Sequence, residues 1–489
     1  MYVRQIVTLV VGLYTSRLVF QILGVSDFGL YGVVGGILTM FSFMSMSLGT
    51  TTSRFLNAEM GKRDGNVNKI FNVNVMLHAG LAVLVLFLSE SLGLWYVLHC
   101  LKVEPGKLTD TIFVFEVCVF TACLGIVNLP YRSVFASHER FKFLAVLDIF
   151  NTFLRLGGVL LLEVVDAHHA LRFYAVVMSV SAVSSFFVYH WYSYRCWHDI
   201  VRWRKVIDRA SYRQVLEFGN WNLLSMFSRV LRCTGADLLF NSFFGTFING
   251  AYSISRTVAN NVASFSENIE GVASPQIIQA YSAHDLVKYS AVVVLICKLC
   301  LLVFFMLFFP LYLELEYILQ LWLGEVPYEA VVFTKWQLLL LCVSISSSGV
   351  NAAINATGRI KWFSLSQVLF DAISILLGYL ILYFHYPAAC ILMLFVAADV
   401  LYRTLQLYLA SRLLHFDAFA FVSKAYFRPF LVACMMSGIM IGYGFLDVQG
   451  GLMKCLGIVG CLLLTIILCC WVGMTNVERK SFLSFVLKR

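Results

Sequence analysis

Thirteen ionisable side chains stand inside long apolar stretches of this 489-residue chain. The basic ones are Arg17, Arg155, Arg229, Arg232, Arg256, Lys298 and Arg403; the acidic ones are Glu116, Asp148, Asp237, Glu267, Asp371 and Asp399. A charge at the centre of a membrane-crossing helix costs about 2.5–3.5 kcal/mol on insertion scales. Facing lipid, the whole set would cost roughly 40 kcal/mol, well beyond the net stability of an ordinary domain. These groups are expected to face one another or a wet cavity.

Spacing sorts them into roles. Asp399 and Arg403 are i, i+4 neighbours on one helical face and read as a structural pair. Asp148 and Arg155 lie two turns apart, which leaves a local pair and a shared cavity wall equally open. Asp371 has no local partner; it is either an ion or proton site or the partner of an arginine on another helix. Arg229 and Arg232, three residues apart, are expected to present two guanidinium groups on one face. Arg17 stands toward the outer part of the first apolar stretch and Arg256 at a similar depth in the eighth. Arginine offers a planar fork that matches phosphate oxygens and keeps its charge when partly buried. Gathered in one cavity, these arginines would suit a diphosphate head group; taken singly, each is equally well explained as half of an ion pair.

Other chemistry is thinner. Cys297 and Cys300 have CxxC spacing but no second pair and no nearby histidine, so the fourteen cysteines read as small packing residues. The outer segment 312–335 carries Glu314, Glu316, Glu325 and Glu329 without an accompanying base or metal set, and reads as an amphipathic surface helix. His168-His169 reads as solvated loop. No metal site, cofactor or catalytic constellation is expected.

The elements that must position these groups follow from composition. Hydrophobic residues make up 60% of the chain and charged residues 13%; soluble domains carry about 25% charged residues. Spanning helices of roughly 20 residues are expected near 3–23, 29–51, 70–92, 111–134, 143–164, 172–192, 215–239, 248–270, 289–311, 336–356, 363–384, 388–409, 427–446 and 455–473. The chain is thus an all-α polytopic membrane protein with about fourteen transmembrane helices. The first apolar stretch has no small-residue cleavage site after it and reads as a retained helix; Met1 stands almost at its head, so an upstream cytoplasmic stretch is expected.

Basic loop residues set the orientation. Twenty-two lysines and arginines fall on one side, and only Lys102, Lys107, Lys335 and Lys454 on the other. That places both termini in the cytoplasm, and it turns the net charge of +9 into a topology signal with no call for nucleic acid. The longest cytoplasmic loop, 193–214, holds Trp197 and Trp203 and is expected to be an interfacial helix anchored by aromatics. It separates two sets of six spans. An internal repeat agrees: Leu23–Asp64 and Phe244–Asp285 align without gaps, with Gly24/Gly245, Gly29/Gly250, Tyr31/Tyr252, Ser45/Ser266, Ser53/Ser274 and Asp64/Asp285 identical. Both copies run the same way through the membrane, so the halves form a parallel repeat, and transporter sites tend to lie at repeat interfaces. The last two spans are nearly charge-free and read as lipid-facing support or as a groove for a lipid tail.

Motifs add a resemblance. Leu13-Tyr14-Thr15-Ser16-Arg17 followed by Leu23-Gly24-Val25-Ser26-Asp27-Phe28-Gly29-Leu30-Tyr31 resembles the opening of bacterial Wzx-type polysaccharide flippases, of the multidrug/oligosaccharidyl-lipid/polysaccharide (MOP) exporter superfamily. Arg54-Phe55-Leu56, Glu59-Met60-Gly61, Trp221-Asn222, Asn241-Ser242-Phe243-Phe244-Gly245, Ser274-Pro275-Gln276-Ile277-Ile278 and Leu321-Trp322-Leu323-Gly324 continue it over essentially the whole chain. Ser274-Pro275 departs from the Asn-Pro frequent in relatives.

The resemblance implies two six-helix lobes in a V plus a final helix pair, here 1–205, 206–412 and 413–489. It implies translocation of an undecaprenyl-diphosphate-linked oligosaccharide from the cytoplasmic to the periplasmic leaflet of the bacterial inner membrane, for O-antigen or capsule biosynthesis. A polysaccharide polymerase and glycosyltransferases would be its partners, alongside membrane lipids. Related lipid II flippases carry cavity arginines on the first, second and eighth helices, which makes Arg17, Arg54 and Arg256 the matching candidates, with Arg229 and Arg232 added by spacing. Two other activities compete. A multidrug cation antiporter of the same superfamily would have twelve helices and a carboxylate-dominated cavity; a membrane polymerase or glycosyltransferase would need catalytic groups on a substantial loop.

Overall fold

In hydrocarbon every backbone N–H and C=O must find its partner within the protein, and this chain meets that demand with helices; among the described residues there is no strand. The computed structural model describes 42–99, 107–164, 169–324, 326–414, 417–445, 450–476 and 478–479, with single residues and short runs between 4 and 31, the side chains of 42, 241, 245–247 and 249 excepted. Two compact units result, Met1–Met226 and Phe227–Arg489.

The first unit holds α1 (Ser42–Gly61) and α2 (Val67–Leu88), which continues through a π turn at Ser89–Gly93 into Leu94–His99. It then holds α3 (Leu108–Ser137), α4 (Phe141–Leu161), α5 (Ala170–Cys196) and the one-turn α6 (His198–Val201). Its main core is a seam in which Val114, Phe115 and Val119 of α3 meet Leu171, Tyr174 and Ala175 of α5. Nearer the C-terminal end of α3, Phe135 is ringed by Phe143, Tyr189, Tyr192 and Trp197.

The loop after α5 differs from the interfacial helix expected of it. Beyond α6, 203–208 is non-helical and lies as a strap on the start of α2. The Asn68 amide donates to the carbonyls of Ile200 and Arg202, both at 2.8 Å. Asn72 donates to the Arg202 carbonyl at 3.1 Å and accepts from the Arg204 N–H at 3.2 Å. Lys69 closes the strap on Asp208 at 2.5 Å. Side-chain amides thus take backbone groups that a helix would have paired internally.

The next helix, α7, runs Arg209–Ser282, 74 residues. Straight, it would be roughly 110 Å long, several bilayers thick. It doubles back instead: Arg256 reaches Asp237 at 2.7 Å and the Phe240 and Tyr252 rings lie 4.7 Å apart, so the chain reverses between 240 and 252. Its two arms are the expected seventh and eighth spans. Its first turns belong to the first unit, because Ser47 of α1 donates to the Gly219 carbonyl and Asn222 donates to the Ser47 carbonyl, each at 3.0 Å. The first unit accordingly runs to Met226; the lobe boundary that the resemblance implies lies at 205/206.

The second unit continues with α8 (Leu286–Leu313), the surface helix α9 (Leu315–Leu323), α10 (Tyr328–Ser346), α11 (Ser348–Thr357), α12 (Lys361–Tyr383), α13 (Ala389–Leu414), α14 (Ala418–Gly444) and α15 (Gly451–Leu468). A π turn at Cys469–Gly473 follows. Phe240, Tyr252, Phe333 and Phe395 form its central cluster. Gly349 lets α11 press onto α8, where a Cβ would meet the Val293 carbonyl oxygen at 2.4 Å. The repeat has a local echo: α2 opens on Asn66, which accepts from the Lys69 N–H, and α8 opens on Asp285, which accepts from the Lys288 N–H.

Ten described helices are long and apolar enough to cross a membrane. They coincide with the expected third to sixth and ninth to fourteenth spans. The expected first span is described only in single residues and short runs, about half of the second lies outside the described residues, and the seventh and eighth lie in α7, whose charges lower its hydropathy. The count of fourteen therefore reaches beyond what the described helices display.

Candidate functional site

The second unit gathers most of the intramembrane charge. On α7, Ser228 and Arg232, one full turn apart, point at α12: Asp371 accepts from the Ser228 hydroxyl at 2.7 Å and pairs with Arg232 at 3.0 Å. Arg232 also lies 3.8 Å from Asp399 on α13 and rests over the Phe395 ring. Asp399 is shared with Arg403 at 3.5 Å. Arg403 in turn donates to Gln406 at 3.2 Å and to Ser344 of α10 at 3.1 Å. Gln406 donates to Asn351 of α11 at 2.5 Å, closing the network. The Asp371 and Asp399 side chains are 8% and 4% exposed. Two guanidinium groups thus offset two carboxylates that could not otherwise stay charged at that depth.

Arg229 stands apart. Residues three apart on a helix are about 60° apart in projection, and with Ser228 and Arg232 turned inward Arg229 is left exposed. The two guanidinium groups therefore do not act as a pair. Arg229 makes no hydrogen bond or ion pair with a described residue; Glu270, on the second arm of α7, senses it electrostatically along with Arg403. Arg256 is held by Asp237 and lies over the Tyr252 ring. Arg54, in the first unit, sits over the rings of Phe55 and Phe218 at 4.5 and 4.7 Å. Arg17 lies outside the described residues. Asp148 and Arg155 of the first unit do not form the local pair that was one of their two readings: Asp148 pairs with Arg4 at 2.5 Å, and Arg155 donates to Ser181 at 2.9 Å.

Beside the charged network opens an apolar cavity of about 940 Å³. Phe305, Phe309, Val343, Leu407 and Phe430, from α8, α10, α13 and α14, are among its walls, and Arg403 is its one charged lining group. Phe430 and Ile441, on α14, are 64% and 65% exposed, so the cavity is a groove open at the surface of the second unit. The last two spans read as lipid-facing support or as a tail groove; α14 lines this groove and α15 does not. Sequence reasoning missed Glu270, Gln406 and Asn351. Glu270 was findable, three residues after Glu267 on the same arm; the amides carry no such signal.

Lys298, buried in α8, pairs with Glu478 at 2.8 Å beyond the last span. Glu478 accepts from the Thr475 N–H at 2.7 Å, and the Thr475 hydroxyl accepts from the Glu478 N–H at 3.3 Å, a reciprocal helix cap. Arg428 donates to the carbonyls of Val472 and Met474 at 3.2 and 2.7 Å.

An all-helical chain of this architecture has a MATE-like MOP transporter fold, and solved structures agree. It is similar to an outward-facing multidrug resistance MATE family transporter of the MOP superfamily, with TM-score 0.67 and 12% identity over 84% of this chain and 93% of the other. It is similar to a MOP superfamily transporter from Pyrococcus furiosus, described as having a binding pocket of reverse polarity, with TM-score 0.69 and 10% identity over 86% and 94%. A variant of a Vibrio cholerae MATE transporter aligns with TM-score 0.64 and 16% identity over 84% and 93%. No curated protein matches the sequence. Residues 2–280 match the family described as polysaccharide biosynthesis protein. The chain belongs to that family, and it is a multi-pass membrane protein.

Proposed function

We propose that this transporter flips an undecaprenyl-diphosphate-linked oligosaccharide from the cytoplasmic to the periplasmic leaflet of the bacterial inner membrane, by alternating access, for O-antigen or capsule biosynthesis. Arg229 carries the reading: among the described intramembrane arginines of the second unit it is the one that no described carboxylate contacts, and a diphosphate is the partner its planar fork fits. Arg17, Arg54 and Arg256 are assigned to the same head group, with Arg256 exchanging Asp237 for phosphate. Arg232 holds the network rigid behind them. The lipid tail lies in the apolar groove, where a prenyl chain costs nothing to bury. Asp371 is the candidate coupling group, able to take a proton or sodium ion only in a state where Arg232 has moved away. A cation antiporter would want carboxylates free to meet its drug; Asp371 and Asp399 are each held by an arginine. The glycan polymerase and glycosyltransferases of the same biosynthesis are the proposed partners, and both termini are assigned to the cytoplasm.

Deleting the gene is expected to leave an undecaprenyl-linked glycan on the cytoplasmic side. Arg229→Ala or Arg256→Ala is expected to abolish export with protein level and insertion unchanged. Full export with both replaced would remove the phosphate clamp.

A further inference from the structure

Only four basic loop residues were assigned to the outer side of the membrane, and two of them meet in one place. A pocket of about 380 Å³ is lined by Lys335, Lys454, Glu314, Tyr443, Tyr312 and Met440, among others. The C-terminal ends of α8 and α14 and the N-terminal ends of α10 and α15 converge there, which the loop charges place at the outer face. Tyr443 donates to Glu314 at 3.0 Å, and Lys454 stands 4.0 Å from the other oxygen of that carboxylate. Lys335 forms no ion pair with a described residue; its ammonium lies 5.5 Å from the Tyr312 ring centre. Two ammonium groups and one carboxylate leave the pocket with a net positive charge. Tyr312 and Met440 also line the apolar groove. The polar pocket and the groove are therefore neighbours sharing two walls, one fit for an anionic head and the other for a long apolar chain.

We infer that this pocket is the outer-leaflet seat of the transported lipid, in which Lys335 and Lys454 hold the diphosphate of a polyprenyl chain lying in the groove. The inference rests on the flippase reading for the identity of the lipid. A diphosphate is favoured over a singly charged phospholipid head because two separated ammonium groups face it, and the second is only partly offset by Glu314. Such a seat gives the head group somewhere favourable to go on the far side, so the lipid leaves the arginines without being released into water.

The test uses the full chain in phosphatidylcholine nanodiscs, with a photoreactive p-benzoylphenylalanine placed at Met440 and undecaprenyl diphosphate as the probe. Irradiation is expected to give an adduct of the probe's mass. Lys335→Gln with Lys454→Gln should lower its yield at least tenfold, and Lys335→Arg with Lys454→Arg should restore it, which also shows that the site has folded. Excess phosphatidylglycerol should not displace the probe. No adduct, an adduct indifferent to the lysines, or equal displacement by phosphatidylglycerol would each overturn the inference. The two readings fail separately: a lysine-dependent adduct with normal glycan export in the deletion strain sinks the flippase and keeps the seat. Lost export without an adduct does the reverse.

Discussion

At the scale of single residues, the second unit separates arginines that hold the protein together from one left available. Arg232 stands between two aspartates that are almost wholly buried, and while Asp399 keeps Arg403, removing Arg232 leaves Asp371 with neither water nor counter-ion. Arg232→Ala is expected to destabilise the protein by about 3–5 kcal/mol, read as a drop in thermal midpoint of the purified protein. Arg232→Gln combined with Asp371→Asn should recover most of that loss. An unchanged midpoint for Arg232→Ala would move Arg232 from scaffold to substrate. How much of this was legible in the sequence depends on distance along the chain. Asp399 and Arg403 sit one turn apart, and their contact could be read from spacing. Asp371 could be read only as needing a partner, because Arg232 reaches it from 139 positions away. The exposure of Arg229 was hidden for the same reason, since which side of α7 faces inward is decided by α12 and α13.

At the scale of elements, hydropathy located ten helices and failed where charge and backbone pairing intervened. The two arms of α7 carry Arg229, Arg232, Asp237, Arg256, Glu267 and Glu270, so their hydropathy is low, and their helical backbone runs through the reversal. The 193–214 loop looked amphipathic because of its tryptophans and arginines, but four hydrogen bonds from Asn68 and Asn72 fix its backbone instead. Asp208 anchors the far end of that strap. The Lys69 ammonium and the Ser211 hydroxyl hold its carboxyl down at about 2. A depressed carboxyl stabilises the fold above its ordinary value, and that contribution is lost as pH falls through the folded one. The strap should therefore stay fastened down to about pH 4 and release between there and about 2. Pepsin cleavage beside Trp203 is the measurement: it should rise steeply over that window in the native protein. An Asp208→Asn variant should already be cut at the upper end, and equal cleavage of the two throughout would show that Asp208 does not hold the strap.

At the scale of the whole molecule, the sequence motifs foretold the family in part because some mark helix ends that a fold shares among its members: Glu59-Met60-Gly61 closes α1 and Leu321-Trp322-Leu323-Gly324 closes α9. The cargo leaves a weaker trace, since a diphosphate asks only for guanidinium and ammonium groups that also serve as counter-ions. The outer pocket shows this: Lys335 and Lys454 were counted as a topology signal, and Glu314 as part of a surface helix. Only the folded chain brings them to one rim beside the groove.

The bond between Lys298 and Glu478 makes the last described turn of the chain a condition for its survival. The Lys298 side chain is 4% exposed, so a stop codon at 478 would strand an ammonium where neither lipid nor water can answer it. Such a truncated product should be degraded in cells while a stop at 480 is tolerated, and immunoblotting of the two would tell them apart. Glu478→Gln in the full-length chain should share the fate of the shorter one, because what is missing is a charge and not a length of peptide.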